Sequence, residues 1–285
     1  MTVPRPRIAR SPPFICCLLS TRLSSAAIVF FLFPQQPLRR LECVPPLRFL
    51  DLTLPAPAGN LACDEALLDQ AEAQGGGAVL RFWESPAYFA VLGYANKVRE
   101  EVDVEACRSH GVPVLRRCSG GGTVLQGAGC LNYSVILKIG GTPQLHSITG
   151  ANRFVMERNQ QALASLLGTA VSIEGHTDLA VGGLKFSGNA QRRKRDWLLF
   201  HGTFLLNFDL GLIEKLLLPP PRQPEYRHGR SHTKFVTQLD IASDAVKSAL
   251  TEAWVANTPQ TDIPHDRITQ LVAEKYSRDE WNLNR

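Results

Sequence analysis

Residues 178–193 read Asp178-Leu179-Ala180-Val181-Gly182-Gly183-Leu184-Lys185-Phe186-Ser187-Gly188-Asn189-Ala190-Gln191-Arg192-Arg193. Asp178 to Val181 has strand composition, Gly182-Gly183 is a turn signal, and Lys185 begins an alternating segment directly after it. A lysine fixed at a turn exit can hold its ammonium near a phosphate oxygen. An ordinary surface lysine on a hairpin is the plainer alternative, since most lysines are exposed.

A second stretch carries comparable information: Arg116-Arg117-Cys118-Ser119-Gly120-Gly121-Gly122-Thr123-Val124. Three glycines after a strand leave the backbone without Cβ atoms, so successive N–H groups are free to converge on an anion. Arg117 stands at the strand exit with a planar charged fork suited to phosphate or carboxylate. Taken alone, the glycines also fit a flexible hairpin loop. Downstream, Phe200-His201-Gly202-Thr203-Phe204-Leu205-Leu206-Asn207 opens a further strand. A single histidine there is more often packed or exposed than a base.

Outward from these stretches, Leu61 to Ala73 has the spacing of a short amphipathic helix ended by Gly75-Gly76-Gly77. Val79 to Trp83 and Tyr88 to Leu92 read as two strands joined by a turn at Ser85-Pro86. A helix is predicted over 104–110, strands over 112–116, 124–125 and 133–137, and a long helix over 148–167 stopped by Gly168. Further strands are predicted at 171–173, 179–181 and 202–207. Asp209 is placed to cap a helix running to Leu217, and a last helix is predicted over 243–255. The sum is an α+β chain, a mixed β-sheet flanked by helices, with no repeat, no Walker A sequence and no GxGxxG after a strand.

The 285 residues allow one large domain, and 44% hydrophobic with 20% charged residues is ordinary for a globular enzyme. The net charge of +5 belongs to residues 1–47, which hold six arginines and one acid, leaving zero for the rest. A nucleic-acid footprint on the main domain is therefore excluded as an expectation. Residues 1–46 form a distinct N-terminal extension, proline-rich and without an acid before Glu42. Their apolar run Ala26 to Phe33 is shorter than the roughly 20 residues a bilayer span needs. A signal-like segment, an organellar transit peptide and an over-long start compete for it, the last being favoured; no membrane association is expected, and the compartment is expected to be cytoplasmic, or organellar if the stretch is a transit peptide. Seven cysteines without a CxxC pair argue for reduced thiols rather than a zinc site or a disulfide framework.

The order RRxSGGGTV, then DLxxxxxKxSGxAQR, then HGTxLLN resembles the catalytic domain of the lipoate-protein ligase A family. Asn60-Leu61-Ala62-Cys63-Asp64-Glu65-Ala66-Leu67, Asn132-Tyr133-Ser134, and Tyr226-Arg227 with Arg230-Ser231-His232 agree with it. The resemblance covers roughly residues 48–240. It implies a fold shared with biotin protein ligases and class II aminoacyl-tRNA synthetase cores, in one catalytic domain over 47–285. It implies ATP, Mg²⁺ and lipoate as reactants, lipoyl-adenylate as intermediate, and transfer to a carrier lysine. By resemblance, Lys185 bridges the acyl carbonyl and the α-phosphate. Arg117, Gly121, Gly122, Thr123, Val124 and Leu125, with Asp178, Ser187 and Gly188, surround the nucleotide. No metal ligand is assigned. Val79, Trp83 and Val135 are guesses for the acyl slot. The implied acceptors are lipoyl domains of 2-oxoacid dehydrogenase complexes and the glycine-cleavage H protein.

Two departures stand out. Many relatives carry His-His-Gly-Thr where this chain has Phe200 first. Only 78 residues follow Asn207, too few for a full C-terminal accessory domain, so a separate accessory protein is a candidate partner. Octanoyltransferases of the same fold use no ATP and carry the acyl group as a cysteine thioester. In those relatives the cysteine precedes the segment equivalent to 178–185, where this chain reads Ile173-Glu174-Gly175-His176-Thr177. Cys118, beside Arg117, is the thiol with grounds for a lowered pKa. A carrier-binding module without catalysis is the third alternative. Preference between lipoate and octanoate is not legible.

Overall fold

The computed structural model describes residues 46–284, so the expectations for the N-terminal stretch lie outside the described residues. In chain order the strands are β1 (Arg48–Asp51), β2 (Val79–Trp83), β3 (Phe89–Leu92), β4 (Val114–Arg116), β5 (Val124–Gln126), β6 (Cys130–Lys138), β7 (Ser172–Glu174), β8 (Asp178–Val181), β9 (Leu184–Arg193), β10 (Trp197–Leu205) and β11 (Thr258–Pro259). The helices are α1 (Pro57–Gln74), α2 (Val98–Glu101), α3 (Val104–Ser109), α4 (Ile148–Leu167), α5 (Leu210–Leu216), α6 (His232–Phe235), α7 (Ser243–Ala253), α8 (His265–Leu271) and α9 (Asp279–Asn282).

Eight strands form one sheet in the order β11-β1-β2-β6-β10-β9-β8-β7, and β4-β3-β5 form a small second sheet. The large sheet is mixed: β1 runs parallel to β2 and β11, and every pair from β2 to β7 is antiparallel. Alternation along the strands supplies two buried faces. Leu80, Phe82, Tyr133, Val135 and Leu137 meet Val155, Met156 and Leu163 of α4 and Val246, Leu250 and Trp254 of α7. Val79, Trp83, Ile136 and Leu199 meet Leu61, Ala66, Leu67 and Leu68 of α1, with Ile268 and Leu271 of α8. Each such aliphatic or aromatic side chain contributes about 1.5–3 kcal/mol by leaving water.

The long helices end where their chemistry predicts. Ser147 caps α4 by accepting from the Gly150 N–H at 2.9 Å, and Gly168 closes it at φ 62°. Gly75, at φ 67°, ends α1 with its N–H on the Ala71 carbonyl. Asp209 caps α5 through the Gly211 N–H.

Three expectations are corrected. β2 and β3 do not form a hairpin. β2 lies between β1 and β6 in the large sheet, whereas β3 pairs with β4 and β5 in the small one, and both strands are buried throughout. The strand expected at 202–207 begins earlier, at Trp197, pairing with β6 and with the ten-residue β9. Val79 and Trp83 face α1 whereas Val135 faces α4, so these residues are sealed core on opposite sides of the sheet and cannot line one slot.

Candidate functional site

The β8–β9 turn is a two-residue loop in which Gly182 and Gly183 have φ 58° and 76°, values that favour glycine at both positions. Lys185 follows. Its carbonyl accepts from the Thr237 N–H at 2.8 Å, so its backbone is anchored by the segment after α6. Its ammonium reaches forward along β9 to the level of Gly188 and pairs with Asp178 Oδ1 at 2.8 Å. A Cβ placed on Gly188 would fall 2.9 Å from that ammonium, which explains why glycine stands there. The Tyr226 hydroxyl donates to the other carboxylate oxygen, Oδ2, at 2.7 Å. Burial, and then the Asp178 charge, push the Tyr226 pKa up, so the hydroxyl remains a donor. Tyr226 also lines a groove of about 450 Å³ with Glu174, Gly183, His228 and Arg230.

The glycine loop links β4 to β5 and abuts β9: a Cβ on Gly121 would lie 3.4 Å from Ala190 Cβ. Ala190 is two residues from Gly188, about 7 Å of strand, so the lysine ammonium and the loop share one end of the site. Gly121 has φ 86° and Gly93 lies so close beneath its carbonyl that neither admits a side chain. Arg117 is buried and turned inward. It donates to the carbonyls of Gly120 at 2.5 Å, Gly122 at 2.8 Å and Val91 at 3.3 Å, and to Ser119 Oγ. It therefore shapes the loop from behind. Burial lowers its pKa to about 10, which leaves it cationic at neutral pH. Thr123 is likewise engaged: its N–H and hydroxyl both donate to Glu101, at 3.2 and 2.6 Å. Val124 and Leu125 lie in β5. Arg116 is fully buried and closed over by α9, through the Trp281 and Asn282 carbonyls and Asn282 Oδ1, while Trp281 Nε1 donates to the Arg116 carbonyl.

Sequence reasoning missed a buried chain of polar groups under the loop. Ser119 Oγ lies 2.5 Å from His201 Nε2, and His201 Nδ1 lies 3.1 Å from Asp64 Oδ2. Asp64 Oδ1 accepts from Arg81 at 2.5 Å and from the Ser134 hydroxyl at 3.0 Å, and Arg81 also donates to Asn60 and Leu52. Burial pushes the Asp64 carboxyl up, but Arg81 and His201 outweigh it and hold the group below its ordinary range. Asn189 ties β9 to its neighbours, accepting from the Tyr133 hydroxyl at 2.7 Å and donating to the Thr177 carbonyl at 2.7 Å and to the buried Ser187 hydroxyl at 3.2 Å. The signal for this network was a set of polar residues in apolar strands and in α1, which a linear pattern does not connect.

The cysteines of the described residues, Cys63, Cys107, Cys118 and Cys130, are all buried. Burial pushes Cys63 to about 11 and Cys118 and Cys130 to about 12, and raises Cys107. The lowering considered for Cys118 does not occur, since Arg117 directs its donors at carbonyls and desolvation dominates, and Cys118 packs as a small buried filler. Among the described residues no three His, Cys, Asp or Glu side chains group as a metal site. Both oxygens of Asp178 are engaged, so the donor set does not fit a resident Mg²⁺. No described helix is long and apolar enough to cross a membrane.

An ammonium paired with a carboxylate lies close to a glycine loop on a mixed sheet flanked by helices. The chain belongs to the lipoyl protein ligase A/B catalytic domain family, whose model matches residues 56–255. It is 29% identical over 275 residues to the octanoyltransferase LipM of Geobacillus kaustophilus, covering 84% of this chain and 98% of that one. It is 26% identical over 245 residues to lipoate-protein ligase A subunit 1 of Thermoplasma acidophilum, covering 79% and 91%. A solved lipoate-protein ligase A bound with ATP superimposes with a TM-score of 0.70 at 26% identity, over 84% of this chain and 98% of that one. The bipartite ligase of Thermoplasma acidophilum, solved in a study with its E2 lipoyl domain, gives 0.71 at 26% identity, over 83% and 96%. The chain is thus an enzyme of the lipoate ligase and octanoyltransferase family, with the fold of lipoate-protein ligases.

Proposed function

We propose that this chain is an ATP-dependent lipoate-protein ligase that forms lipoyl-AMP and passes the lipoyl group to a lysine of a lipoyl domain. The observation that carries the proposal is the state of the thiols. An acyl thioester needs an accessible cysteine of ordinary or lowered pKa, and the four described cysteines are buried with raised pKa values. Adenylation needs no thiol. It needs fixed positive charge and N–H donors where negative charge develops, and Lys185 with the Gly120–Gly122 backbone answers that description.

In the first step the lipoate carboxylate attacks the α-phosphorus of ATP, brought in as its Mg²⁺ complex, and pyrophosphate leaves. The Lys185 ammonium lies between the acyl carbonyl and the α-phosphate as an electrostatic clamp. Arg117 contributes by holding the loop carbonyls, and Gly188 by leaving room for the lysine. Val124, Leu125 and Ser187 frame the nucleotide end. In the second step the carrier amine attacks the mixed anhydride and AMP leaves. The Thermoplasma relative is named as a subunit and its bipartite ligase was solved in a study with an E2 lipoyl domain, which supports a separate accessory protein and a lipoyl domain as acceptor.

The second reading, an ATP-independent octanoyltransferase, is favoured by the LipM match along nearly the whole of that relative. ATP–pyrophosphate exchange with free lipoate on the full chain separates the two, with Lys185→Ala as control. Exchange that depends on lipoate and vanishes in the variant supports the ligase. Absence of exchange together with acyl transfer from octanoyl carrier protein replaces it with the transferase.

A further inference from the structure

We propose that Asp178, held by Tyr226, is the proton acceptor for the incoming carrier lysine, which takes the place on its carboxylate that Lys185 occupies before substrate binds. The proposal rests on Lys185 as the clamp and holds for an adenylate or a thioester donor alike. A lysine amine has a pKa near about 10.4, so at neutral pH it arrives as an ammonium without a lone pair. It must shed a proton at the acyl carbon, and the carboxylate paired with Lys185 there is Asp178.

The geometry permits an exchange of one ammonium for another. Asp178 Oδ1 already holds a primary ammonium at 2.8 Å in a slot that Gly188 keeps open. When Lys185 turns to the anionic acyl phosphate, that slot is left beside the carbonyl the lysine grips. The Lys185 backbone stays fixed by the Thr237 N–H, so only the side-chain end moves. Tyr226 keeps Oδ2 in place by its hydroxyl, and its side chain also lines the surface groove with Glu174, Gly183, His228 and Arg230, from which a lysine on a tight turn would approach. The other charged groups nearby leave this exchange intact. Glu174 faces Asp178 across β7 and β8. Arg230 spends its donors on the carbonyls of Gly183, Tyr226 and Arg227. His232 contacts the Leu218 carbonyl, and burial lowers its pKa.

The step balances. An N–H bond of the ammonium breaks and its proton goes to Asp178 Oδ1. The freed pair forms the C–N bond, and the C–O bond to AMP, or the C–S bond of a thioester, breaks with its electrons on the leaving group. That group takes the second nitrogen proton, and Asp178 returns the first to solvent through the groove.

The test uses two nucleophiles on the full chain: a recombinant lipoyl domain, and hydroxylamine, which is uncharged at neutral pH and needs no proton acceptor. With ATP and lipoate, or with octanoyl carrier protein as donor if the enzyme proves to be a transferase, hydroxamate reports acyl activation and the lipoyl-domain mass reports transfer. Asp178→Asn is expected to slow lysine transfer about 100-fold, the lower end for general base catalysis, with hydroxamate formation within a few-fold of wild type. Raising the pH toward 9 should narrow that deficit as free amine accumulates. Tyr226→Phe should show the same selectivity, weaker. Equal loss with both nucleophiles would overturn the proposal, leaving Asp178 as a support for Lys185; so would unimpaired lysine transfer. Intact hydroxamate formation in Lys185→Ala would instead reject the clamp, which separates the two failures. Hydroxamate formation by Asp178→Asn itself certifies that the variant is folded.

Discussion

Replacing Gly188 by alanine tests how tightly the Lys185 ammonium is placed. The new methyl carbon would stand 2.9 Å from Nζ and 3.0 Å from Cε, yet 3.7 Å from Asp178 Oδ1, so its three nearest neighbours are all side-chain atoms. Comfortable contact needs about 3.5–4 Å, so the lysine head must retreat by about 0.5–1 Å. A 1 Å misplacement at a reacting centre costs about 100-fold in rate, or about 2.7 kcal/mol of barrier. The backbone at 188 is ordinary extended strand, so alanine is tolerated and should stabilise the fold slightly, by about 0.5 kcal/mol, through the unfolded chain. The expected outcome is an enzyme with unchanged or raised Tm and about 1% of the wild-type rate of lipoyl-domain acylation, read by mass spectrometry. A variant of full activity would refute the claim that the position of this ammonium controls the rate. A variant that unfolds would refute the claim that the clash is confined to one side chain.

Arg81→Met leaves Asp64 buried without its cation and should cost about 3–5 kcal/mol, seen as a lower urea midpoint; Arg81→Met with Asp64→Asn should recover part of it. Gly121→Ala forces a side chain into φ 86° and against Arg117 Nη2 at 2.8 Å, so acyl activation should fall more than 10-fold, with a loss of about 1–2 kcal/mol in stability. Mass mapping after iodoacetamide at pH 7.5 should leave Cys63, Cys107, Cys118 and Cys130 unlabelled in the native protein and labelled in urea. Because burial raises the pKa of these thiols above the ordinary thiol value, they stay protonated when the unfolded chain ionises. Stability from this source is present below pH 9 and falls as pH climbs toward 12; a denaturation series from pH 8 to 10.5 that showed rising stability would contradict it.

What was legible in the sequence was local. The 148–167 helix could be read from its periodicity and Gly168, and the β8–β9 hairpin from Gly182-Gly183. Lys185 and the glycine loop stood out because glycines are punctuation and because three motifs came in order. What escaped was non-local. His201 looked incidental, since its partners Asp64 and Ser119 are 137 and 82 residues away and only the alignment of α1, β10 and the loop unites them. The length of β9 was hidden by its polar second half, Asn189 to Arg193, which is stabilised by pairing with β10 rather than by apolar alternation. Arg117 was assigned a direct hold on phosphate because sequence shows a charge and not where its donors point.

The closure of α9 over Arg116 sets an order in time. The strand that launches the glycine loop is completed by Trp281 and Asn282, 165 and 166 residues later in the chain. During synthesis, most of the large sheet can assemble while Arg116 still lacks those partners. The strand gains these contacts only after residues 281 and 282 have left the ribosome, so a growing chain can hold much of the scaffold before it holds a finished site.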